Sequence, residues 1–430
     1  MLPECRTKDA TFSIPKFTVE KNDIEDFVDE LKGFHEEFKD CFSRSEPREN
    51  FFRYSAGQFS KLERKSIEPI ALNIQGGNVR SMQRFVSDVV WDEPRLLHKY
   101  HNIVNQDMGD SNGVLIFDES GFAKKGDDSA GVAKQYCGNL GKVENSQVGV
   151  FAAYASPSGY ALLDKRLFIP EKWFNDDYEL RRNKCKIPED VEFKTKPQLA
   201  VEMFHDLQEQ KSLPYKYVLA DSLYGNNPEF IDAVEKCANL IYFVSIPSDT
   251  LCWLKMPITR KKEYKYKGKV HTKEILEKTE KKPICFETLA MNTNNYFWYR
   301  RKVSEGTKGP IEYEFLRRRV VRQLADGLPQ KTVWLVIKRT LGCNPTYYYY
   351  ISNAPESTKL KTFVWLSGIR WAIEQCFEET KSELGMDQYE VRKYPGWNHH
   401  ILTCMLSHFF LWHLKIRLGK KSSVYYSVAA

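Results

Sequence analysis

GVLIFD, at residues 113–118, decides the fold, because a short apolar run that ends in an aspartate predicts a buried β-strand. Two more strands are predicted at 147–155 and 159–168, where Pro157 and Ser158 indicate a hairpin turn. The predicted elements that follow are a helix at 197–211, a strand at 217–220 that ends in Asp221, a helix capped by Asn227 with Pro228 in its first turn, and a strand at 240–246. Strands therefore precede alternating helices and strands, which predicts an α/β core.

This order of elements matches a ribonuclease-H-like α/β catalytic core, in which antiparallel strands come before βα units. After residue 250, β-prone runs such as NNYFWYRRK and KTVWLVIKRT alternate with turns and predict an inserted β-rich module. A helical pattern resumes near Lys361. Four segments are predicted: an N-terminal helical, DNA-binding domain at 1–110, the first part of the core at 111–250, the inserted basic module at 251–345, and the second part of the core with C-terminal helices at 346–430.

Helical patterns dominate the N-terminal segment. One apolar face is predicted over residues 24–38, and further helices over 57–73 and 79–90 flank the turn Gln75-Gly-Gly-Asn78. Two helices around a glycine-containing turn are typical of a helix-turn-helix reader of DNA. An ordinary helical hairpin fits the same pattern equally well, so both interpretations stay open.

The composition excludes several classes of protein. Hydrophobic residues make up 42% of the 430 residues, which is typical of a globular chain. The ten cysteines show no C-x-x-C pair and no zinc-site spacing, so reduced thiols in a cytosol are expected. The first residues lack the pattern of a signal peptide, and the apolar stretch 399–416 is interrupted by four histidines and a lysine. We therefore expect a cytoplasmic protein of the bacterial cytosol or nucleoid, with no membrane segment.

Positive charge is concentrated in one part of the chain. The net charge is +7, but residues 251–340 contain 22 Lys and Arg against 9 Asp and Glu, an excess of +13, so the other residues carry a net −6. This distribution is expected of a surface that binds a polyanion, although a solvated lysine-rich module gives the same pattern. Aromatic residues interleaved with the charges favour nucleic acid; they are Trp253, Tyr264, Tyr266, Trp298, Tyr299 and Tyr313.

Two aspartates are predicted at the carboxyl ends of buried strands. Asp118 follows the first strand and Asp221 follows the strand at 217–220. The carboxyl ends of central strands meet in the crevice where open α/β sheets place their sites. Either acid alone fits a turn or a loop cap equally well, but the pair predicts one shared site.

A third acid lies in the helix predicted over residues 361–386. Arg370, Glu374 and Lys381 are four and seven residues apart, which places them on one stripe beside the apolar seam. The apolar seam comprises Leu366, Ile369, Ile373, Phe377 and Leu384. The alternative is an exposed ladder of ion pairs along the helix, which can also run through Glu378 and Glu379.

Three carboxylates without a companion Cys or His select hard cations. Oxygen ligands of this kind suit Mg²⁺ or Mn²⁺. Two such ions about 4 Å apart can assist phosphoryl transfer by acting on the attacking and the leaving oxygen. We therefore predict a metal site formed by Asp118, Asp221 and Glu374 that holds two divalent ions.

Several motifs resemble those of one family. Arg370-x3-Glu374-x6-Lys381, with Trp371 after the arginine, is similar to the tyrosine-arginine-glutamate-lysine signature of cut-and-paste insertion-sequence transposases. Residues 117–150 and the run LADSLYGN around Asp221 resemble the first- and second-aspartate regions of insertion sequence family 701. The runs FFRYSAGQFSKLERKSIEPIA and ELGMDQYEVRKYPGW extend the match toward both ends of the chain.

The resemblance implies a ribonuclease-H-like domain with a β insertion between the second aspartate and the glutamate. It implies that Asp118, Asp221 and Glu374 are the catalytic metal triad, that Arg370 and Lys381 contact DNA near the cleaved end, and that Trp371 shapes the site. The signature's tyrosine is Ser367 here, so the contact made by that tyrosine is absent or supplied elsewhere, and the strand-processing route stays open. The residues predicted to bind DNA are Arg370, Trp371, Lys381, Lys124, Lys125, Arg317, Arg318 and Arg319.

The predicted function is that of a DDE transposase, which cuts DNA at transposon ends and transfers the strands to a target. The expected partners are double-stranded DNA, as terminal inverted repeats and as target, and a second copy of the chain in the DNA complex. Two alternatives share these motifs. One is a catalytically silent DNA-binding regulator derived from a transposase, and the other is a structure-selective nuclease with a ribonuclease-H-like core.

Overall fold

The structure is a computed structural model, which describes residues 26–267, 269–306 and 309–428. The helices are α1 Phe27–Glu36, α2 Ser45–Gln58, α3 Ile67–Asn73, α4 Val79–Ser87, α5 Glu93–Met108, α6 Glu179–Lys184, α7 Lys196–Gln210, α8 Ser222–Gly225, α9 Pro228–Glu235, α10 Phe286–Met291, α11 Leu360–Ile369, α12 Trp371–Leu384 and α13 Tyr394–Val428. The strands are β1 Val114–Ala123, β2 Ala133–Cys137, β3 Lys142–Ser156, β4 Gly159–Phe168, β5 Tyr217–Ala220, β6 Ile241–Ser245, β7 Leu251–Trp253, β8 Thr259–Tyr266, β9 Lys269–Leu276, β10 Ile284–Cys285, β11 Tyr299–Gly306, β12 Gly309–Gln323, β13 Pro329–Arg339 and β14 Tyr347–Ser352.

Contacts divide the chain into two compact units. The first comprises Met1–Lys216 with Arg370–Ala430, and the second comprises Tyr217–Ile369. The first unit therefore contains α1–α7, β1–β4, α12 and α13, and the second contains the elements between them in sequence.

The helix predicted over 57–73 is wrong, because two helices cover this stretch. α2 ends at Gln58 and α3 begins at Ile67, and residues 59–66 between them are not helical. Gly57 lies where the two helices cross, since a Cβ atom placed on it would be 2.2 Å from Cγ2 of Ile70. The glycine permits a close helix contact there and does not start a helix.

The glycine turn before α4 has the predicted position. Gly76 has a φ of +71°, and a Cβ atom on Gly77 would be 2.2 Å from the carbonyl oxygen of Ala71. Asn78 then caps α4 by accepting a hydrogen bond from the amide of Ser81. The predicted helices at 24–38 and 79–90 are shorter in the structure, at Phe27–Glu36 and Val79–Ser87, and Ile24 lies outside the described residues.

β3 is the long strand of the first unit's sheet. It pairs antiparallel with β1, β4 and β2, and the predicted hairpin at Pro157 and Ser158 joins it to β4. The prediction that the first strand ends at Asp118 is wrong. Ala123 still pairs with Ser146 of β3, so β1 continues for five residues beyond the aspartate. Because β3 is long enough to pair with the whole of β1, the turn-prone residues Asp118-Glu-Ser-Gly121 remain part of the strand.

The predicted βα units after residue 196 are confirmed. Thr195 and Gln198 form a capping box at the start of α7. β5 covers the predicted Tyr217–Ala220, and Asn227 caps α9 with Pro228 in its first turn. β6 then follows at Ile241–Ser245, within the predicted strand.

α13 is a core helix of the first unit. Trp397, Trp412 and the other apolar residues up to Leu418 are buried, and His400 and His408 are buried with them. Across the part of the chain that the structure describes, no helix combines the length and the apolar character that crossing a bilayer requires. The nine cysteines of that part have free thiols.

The second unit is built on a mixed sheet. Its strands follow the order β10-β7-β12-β13-β14-β6-β5, with β11 beside β12. β5 and β6 are parallel, whereas the other pairs are antiparallel. β12 and β13, from the predicted inserted module, thus share a sheet with β5 and β6, while β8 and β9 form a separate two-stranded ribbon. The predicted α/β class is confirmed.

Candidate active site

Asp118 lies in the middle of β1, where pairing with β3 holds its backbone. Its side chain is 17% exposed, and its Oδ1 accepts a hydrogen bond of 2.8 Å from the amide of Glu119. Because side chains alternate along a strand, Asp118 and Ser120 share one face of β1 and Glu119 has the other. The paired strand β1 therefore fixes the backbone that carries the half-buried carboxylate of Asp118.

Arg370 brings two of the three predicted acids together. Its Nη1 is 3.6 Å from Oδ2 of Asp118, and its Nη2 forms an ion pair with Oε1 of Glu374. Arg370 directly precedes α12, and Glu374 lies one turn into that helix. The predicted spacing of four residues thus places one guanidinium between the carboxylates of Asp118 and Glu374.

Lys381, further along α12, holds this helix against β1. Its Nζ donates hydrogen bonds of 2.8 Å to Oγ of Ser120 and 3.1 Å to the carbonyl oxygen of Gly121. Burial lowers the pKa of Lys381 to about 8, with the carboxylate of Asp387 acting in the opposite direction. Lys381 therefore fixes α12 along β1, which holds the carboxylate of Glu374 near that of Asp118.

The other acids of α12 differ in their surroundings. Glu378 is exposed, whereas Oε1 of Glu379 accepts a 2.8 Å hydrogen bond from Tyr160 and its Oε2 lies 2.7 Å from Nε2 of His408. Glu379 therefore stabilises the contact of α12 with β4 and α13. An exposed ladder of ion pairs along the whole helix, the alternative left open by the sequence, is not formed.

One ion pair next to Asp118 was not predicted from the sequence. Oε1 of Glu119 is 2.9 Å from Nζ of Lys196, at the start of α7, and both side chains are largely buried. One carboxylate oxygen of Glu119 lies within 4.8 Å of one carboxylate oxygen of Asp118, so Glu119 places a second acid beside the first. Two consecutive acids in a strand were the available signal for this arrangement.

The two lysines after β1 have different environments. Lys124 donates a hydrogen bond of 3.0 Å to the carbonyl oxygen of Tyr389, and its Nζ is 3.2 Å from the centre of that ring. Burial lowers the pKa of Lys124 to about 7. Lys125 is exposed. Lys124 is therefore held within the protein, whereas Lys125 is accessible to a ligand.

Asp221 belongs to the second unit, directly after β5. Its Oδ1 accepts a 2.9 Å hydrogen bond from the amide of Leu223, so it caps the short helix α8. The aspartate is half-buried. The predicted strand-end position of Asp221 is confirmed.

The three consecutive arginines of β12 do not form one free basic stripe. Arg317 and Arg319 flank the ring of Trp334 at 4.8 and 5.3 Å, and Arg318 lies over Phe297 at 5.5 Å on the other face.

Ser367 of α11 is buried and donates a 2.8 Å hydrogen bond to the carbonyl oxygen of Val364. A serine that bonds within its own helix does not supply the contact that a tyrosine would make.

The chemistry of the donors decides which cation suits the first unit's acids. Asp118 and Glu374 both offer carboxylate oxygens. Oxygen donors of this kind fit Mg²⁺ or Mn²⁺ and suit softer metals poorly. Both carboxylates already contact a cation, the guanidinium of Arg370, so the residues present are compatible with a divalent ion that competes with it.

The sequence places the chain in a known class of enzyme. A family model described as DDE superfamily endonuclease matches residues 37–310, which is more than half of the chain. The chain therefore belongs to the DDE superfamily endonucleases, enzymes that cut DNA and generally use divalent metal ions. A protein of Microchaete diplosiphon described as a probable transposase for insertion sequence element IS701 is 25% identical over 379 residues, 86% of this chain and 83% of that protein. The predicted DDE transposase of the insertion sequence 701 type is confirmed.

Two solved structures are similar to this chain over part of the backbone path. The piggyBac transposase synaptic complex with hairpin DNA covers 90% of this chain and 72% of its own, with 8% identity and a TM-score of 0.40. The NurA nuclease from Sulfolobus solfataricus covers 69% of this chain and 88% of its own, with 9% identity and a TM-score of 0.29.

Proposed function

We propose that this transposase cuts DNA at the terminal inverted repeats of its own element and joins the ends to target DNA, with Asp118, Asp221 and Glu374 as catalytic metal ligands. The observation that carries the proposal is the position of Asp118 and Glu374 on either side of Arg370. Two carboxylates held this close repel each other unless a cation lies between them. Such a pair is suited to exchange an internal cation for a metal ion.

Asp221 completes the proposed triad. It follows a buried strand, as the acids of a sheet-edge site do, and it lies in the LADSLYGN run that resembles the second-aspartate region of the family. We infer a ribonuclease-H-like core around the three acids. The N-terminal helices and the strands between Asp221 and Glu374 would form the DNA-binding and inserted segments predicted from the sequence.

Mg²⁺ or Mn²⁺, as two ions per site, is the proposed cofactor. A divalent cation bound by the three carboxylates would activate the attacking oxygen and stabilise the leaving oxygen of the DNA backbone. Arg370 would turn from the carboxylates to a phosphate, since a guanidinium binds either group through the same fork of N–H donors. Lys381 would keep α12 in position through Ser120 and Gly121, and Trp371 would shape the site beside Arg370.

The face of α4 supports a helix-turn-helix rather than a plain hairpin. Arg80, Gln83 and Arg84 are exposed on this helix and line a groove of about 1070 Å³ together with residues 387–393. Within the described residues, neither Arg80 nor Arg84 has an ion-pair partner, whereas Lys393 in the same groove pairs with Asp88. Free cations on a short helix after a glycine turn suit contact with duplex DNA.

The experiment that tests the proposal compares acid variants on the element's own ends. Asp118→Asn, Asp221→Asn and Glu374→Gln should each reduce cleavage in Mg²⁺ at least about a thousandfold, because each loses a metal ligand. Binding of the ends should remain within a few-fold of wild type. Glu378→Gln is the matched control on the exposed side of α12. Normal cleavage by Glu374→Gln, or cleavage by wild type in EDTA, would refute the assignment.

A further inference from the structure

The ribbon of β8 and β9 has two chemically different faces. In this antiparallel pair, residues opposite one another share a face. One face, here the cationic face, carries Arg260, Lys262, Tyr264, Tyr266, Lys269, His271 and Lys273. The other face, here the mixed face, carries Lys261 and Lys265 together with Glu263 and Glu274, so its charges cancel. A hairpin that merely needed solubility would not separate its charges in this way.

The lysines of the cationic face are available to a ligand. Arg260 pairs with Glu277, which lies just beyond β9, at 3.1 Å. Within the described residues, Lys262, Lys269 and Lys273 have no carboxylate within ion-pair distance, and all three are exposed. The rings of Tyr264 and His271 stack at 5.6 Å between these lysines. The face therefore combines free cations with exposed aromatic surface.

The ribbon is poorly stabilised on its own. It forms a separate two-stranded sheet, and nearly all of its side chains are exposed. Isolated two-stranded hairpins are marginally stable in water. Lys262 is directly opposite Lys273, and like charges in this position destabilise a strand pair. A polyanion on the cationic face would remove that repulsion, so the ribbon gains stability from such a partner.

We propose that the cationic face of the β8–β9 ribbon binds the phosphate backbone along a groove of duplex DNA, with Lys262, Lys269 and Lys273 on phosphates. This proposal rests on the proposed function, since it assigns a DNA contact to the transposase. Eight residues per strand span about 26 Å, which is most of a helical turn of DNA. The major groove, about 12 Å wide, admits a two-stranded ribbon. The mixed face then points away from the DNA.

Two variants of equal charge separate this proposal from general electrostatic attraction. In the full-length protein, Lys262→Gln with Lys273→Gln removes two charges from the cationic face, and Lys261→Gln with Lys265→Gln removes two from the mixed face. Binding of a labelled duplex that carries the element's end is measured by fluorescence anisotropy across a series of salt concentrations. The first variant should lower the slope of log affinity against log salt by about 1.8 and weaken binding roughly tenfold or more. The second should change either quantity less than half as much.

Equal effects of the two variants, or no effect of the first, would overturn the proposal. Replacing Lys262 and Lys273 removes a repulsive pair, so loss of the ribbon's fold does not mimic the expected result. Hydrogen exchange gives an independent check, because the amides of β8 and β9 should gain protection when the duplex binds. Cleavage at saturating protein in Mg²⁺ is scored on the same samples. Cleavage without the salt effect rejects the ribbon contact alone, and absence of cleavage in wild type rejects the proposed function.

Discussion

Arg370 is the residue on which the electrostatics of the first unit's acids depend. It contacts both Asp118 and Glu374, and it directly precedes the helix that carries Glu374. In that position its single positive charge offsets one of the two negative charges, and in the proposed function it competes with a metal ion for the same oxygens. Arg370 therefore contacts the acids in the structure, and its second role, toward DNA, belongs to the proposed function.

Removing this guanidinium should separate metal binding from cleavage. We expect Arg370→Gln to bind Mn²⁺ at least several-fold more tightly, because in this partly exposed site a unit charge about 4 Å from a carboxylate opposes a second cation by about 1 kcal/mol. Cleavage of end DNA should nevertheless fall, since the phosphate loses its partner. Mn²⁺ titration followed by electron paramagnetic resonance measures the first effect. Arg392→Gln, which removes an exposed arginine paired with Asp128, is the control. Weaker or unchanged Mn²⁺ affinity would contradict the competition.

Lys124 makes the stability of the first unit depend on pH. Its contact with Tyr389 buries the ammonium, which lowers its pKa to about 7, while Asp387 and Glu390 act in the opposite direction. Between pH 7 and the usual lysine pKa of about 10.4, the unfolded chain therefore binds more protons than the folded chain. The free energy of unfolding must then rise with pH in this window and reach its lower level below pH 7.

The pH effect can be isolated with one substitution. From about pH 7 to about pH 9, the free energy of unfolding of wild type should rise by on the order of 1–2 kcal/mol more than that of Lys124→Met. Urea denaturation at a series of pH values measures both proteins. Lys125→Met, next to Lys124 but exposed, should keep the wild-type slope. The same slope in wild type and Lys124→Met would show that burial does not perturb this lysine.

At the scale of elements, the hairpin of β3 and β4 depends on one glycine. Gly159 has a φ of +155°, and a Cβ atom there would be 2.8 Å from the ring of Trp412 and 2.9 Å from Sδ of Met108. Gly159→Ala should therefore lower the free energy of unfolding by about 1–3 kcal/mol through backbone strain and overpacking. Thermal or urea denaturation gives the value.

Gly126→Ala is the matched control for this substitution. Gly126 also has a positive φ, at +79°, but no atom lies within 4 Å of its Cβ position. Its substitution should cost only the conformational part, about 1 kcal/mol. Equal losses for the two variants would mean that packing against α13 contributes nothing at Gly159.

Elements were predictable from the sequence where local signals and packing agree. The strand at Tyr217–Ala220, the cap at Asn227 and the hairpin after Ser156 carry turn and cap residues at the positions that the structure uses. The helix over 57–73 was predicted wrongly because of Gly57. A glycine that permits two helices to cross cannot be distinguished in the sequence from a glycine that breaks a helix. β1 was predicted too short, since its length depends on pairing with a distant strand.

For the candidate site, contacts within one helix were predictable from the sequence, whereas contacts between distant segments were not. The spacing of Arg370 and Glu374 is a local property of one helix, and their ion pair follows from it. The contact of Arg370 with Asp118 and the hydrogen bonds of Lys381 to β1 are tertiary, and periodicity within one segment contains no information about them. Cation–π contacts likewise occupy Arg317 and Arg319, which a count of charges treats as free.

At the scale of the whole molecule, the chain separates its charges along its length. Asp118 and Glu374 belong to the first unit, whereas the segment with an excess of +13, residues 251–340, belongs entirely to the second. A transposase must bind an element end over many phosphates and cut it at one. In the proposed function, this separation would allow Asp118 and Glu374 to hold metal without weakening the attraction of the basic segment for DNA.

We expect the transposition reaction to need more than one copy of the chain. One triad forms one active site, yet excision processes two ends and joins both to one target. We therefore expect at least a dimer that bridges two ends, formed on DNA. Mass determination with and without end DNA should show a complex of at least two proteins per pair of ends only when DNA is present.

Mixing wild type with Glu374→Gln then tests which copies do the cutting. If each end in the complex is cut by one copy, equal mixing should leave about a quarter of the complexes able to cut both ends and about half cutting only one, because random pairing distributes the inactive copy by chance. A single active copy that served both ends would instead leave about three quarters fully cut, with no singly cut class. Sizing the products of assembled complexes distinguishes the two patterns. A complex with one protein per pair of ends that completes both cleavages would overturn the prediction, since one triad would then suffice.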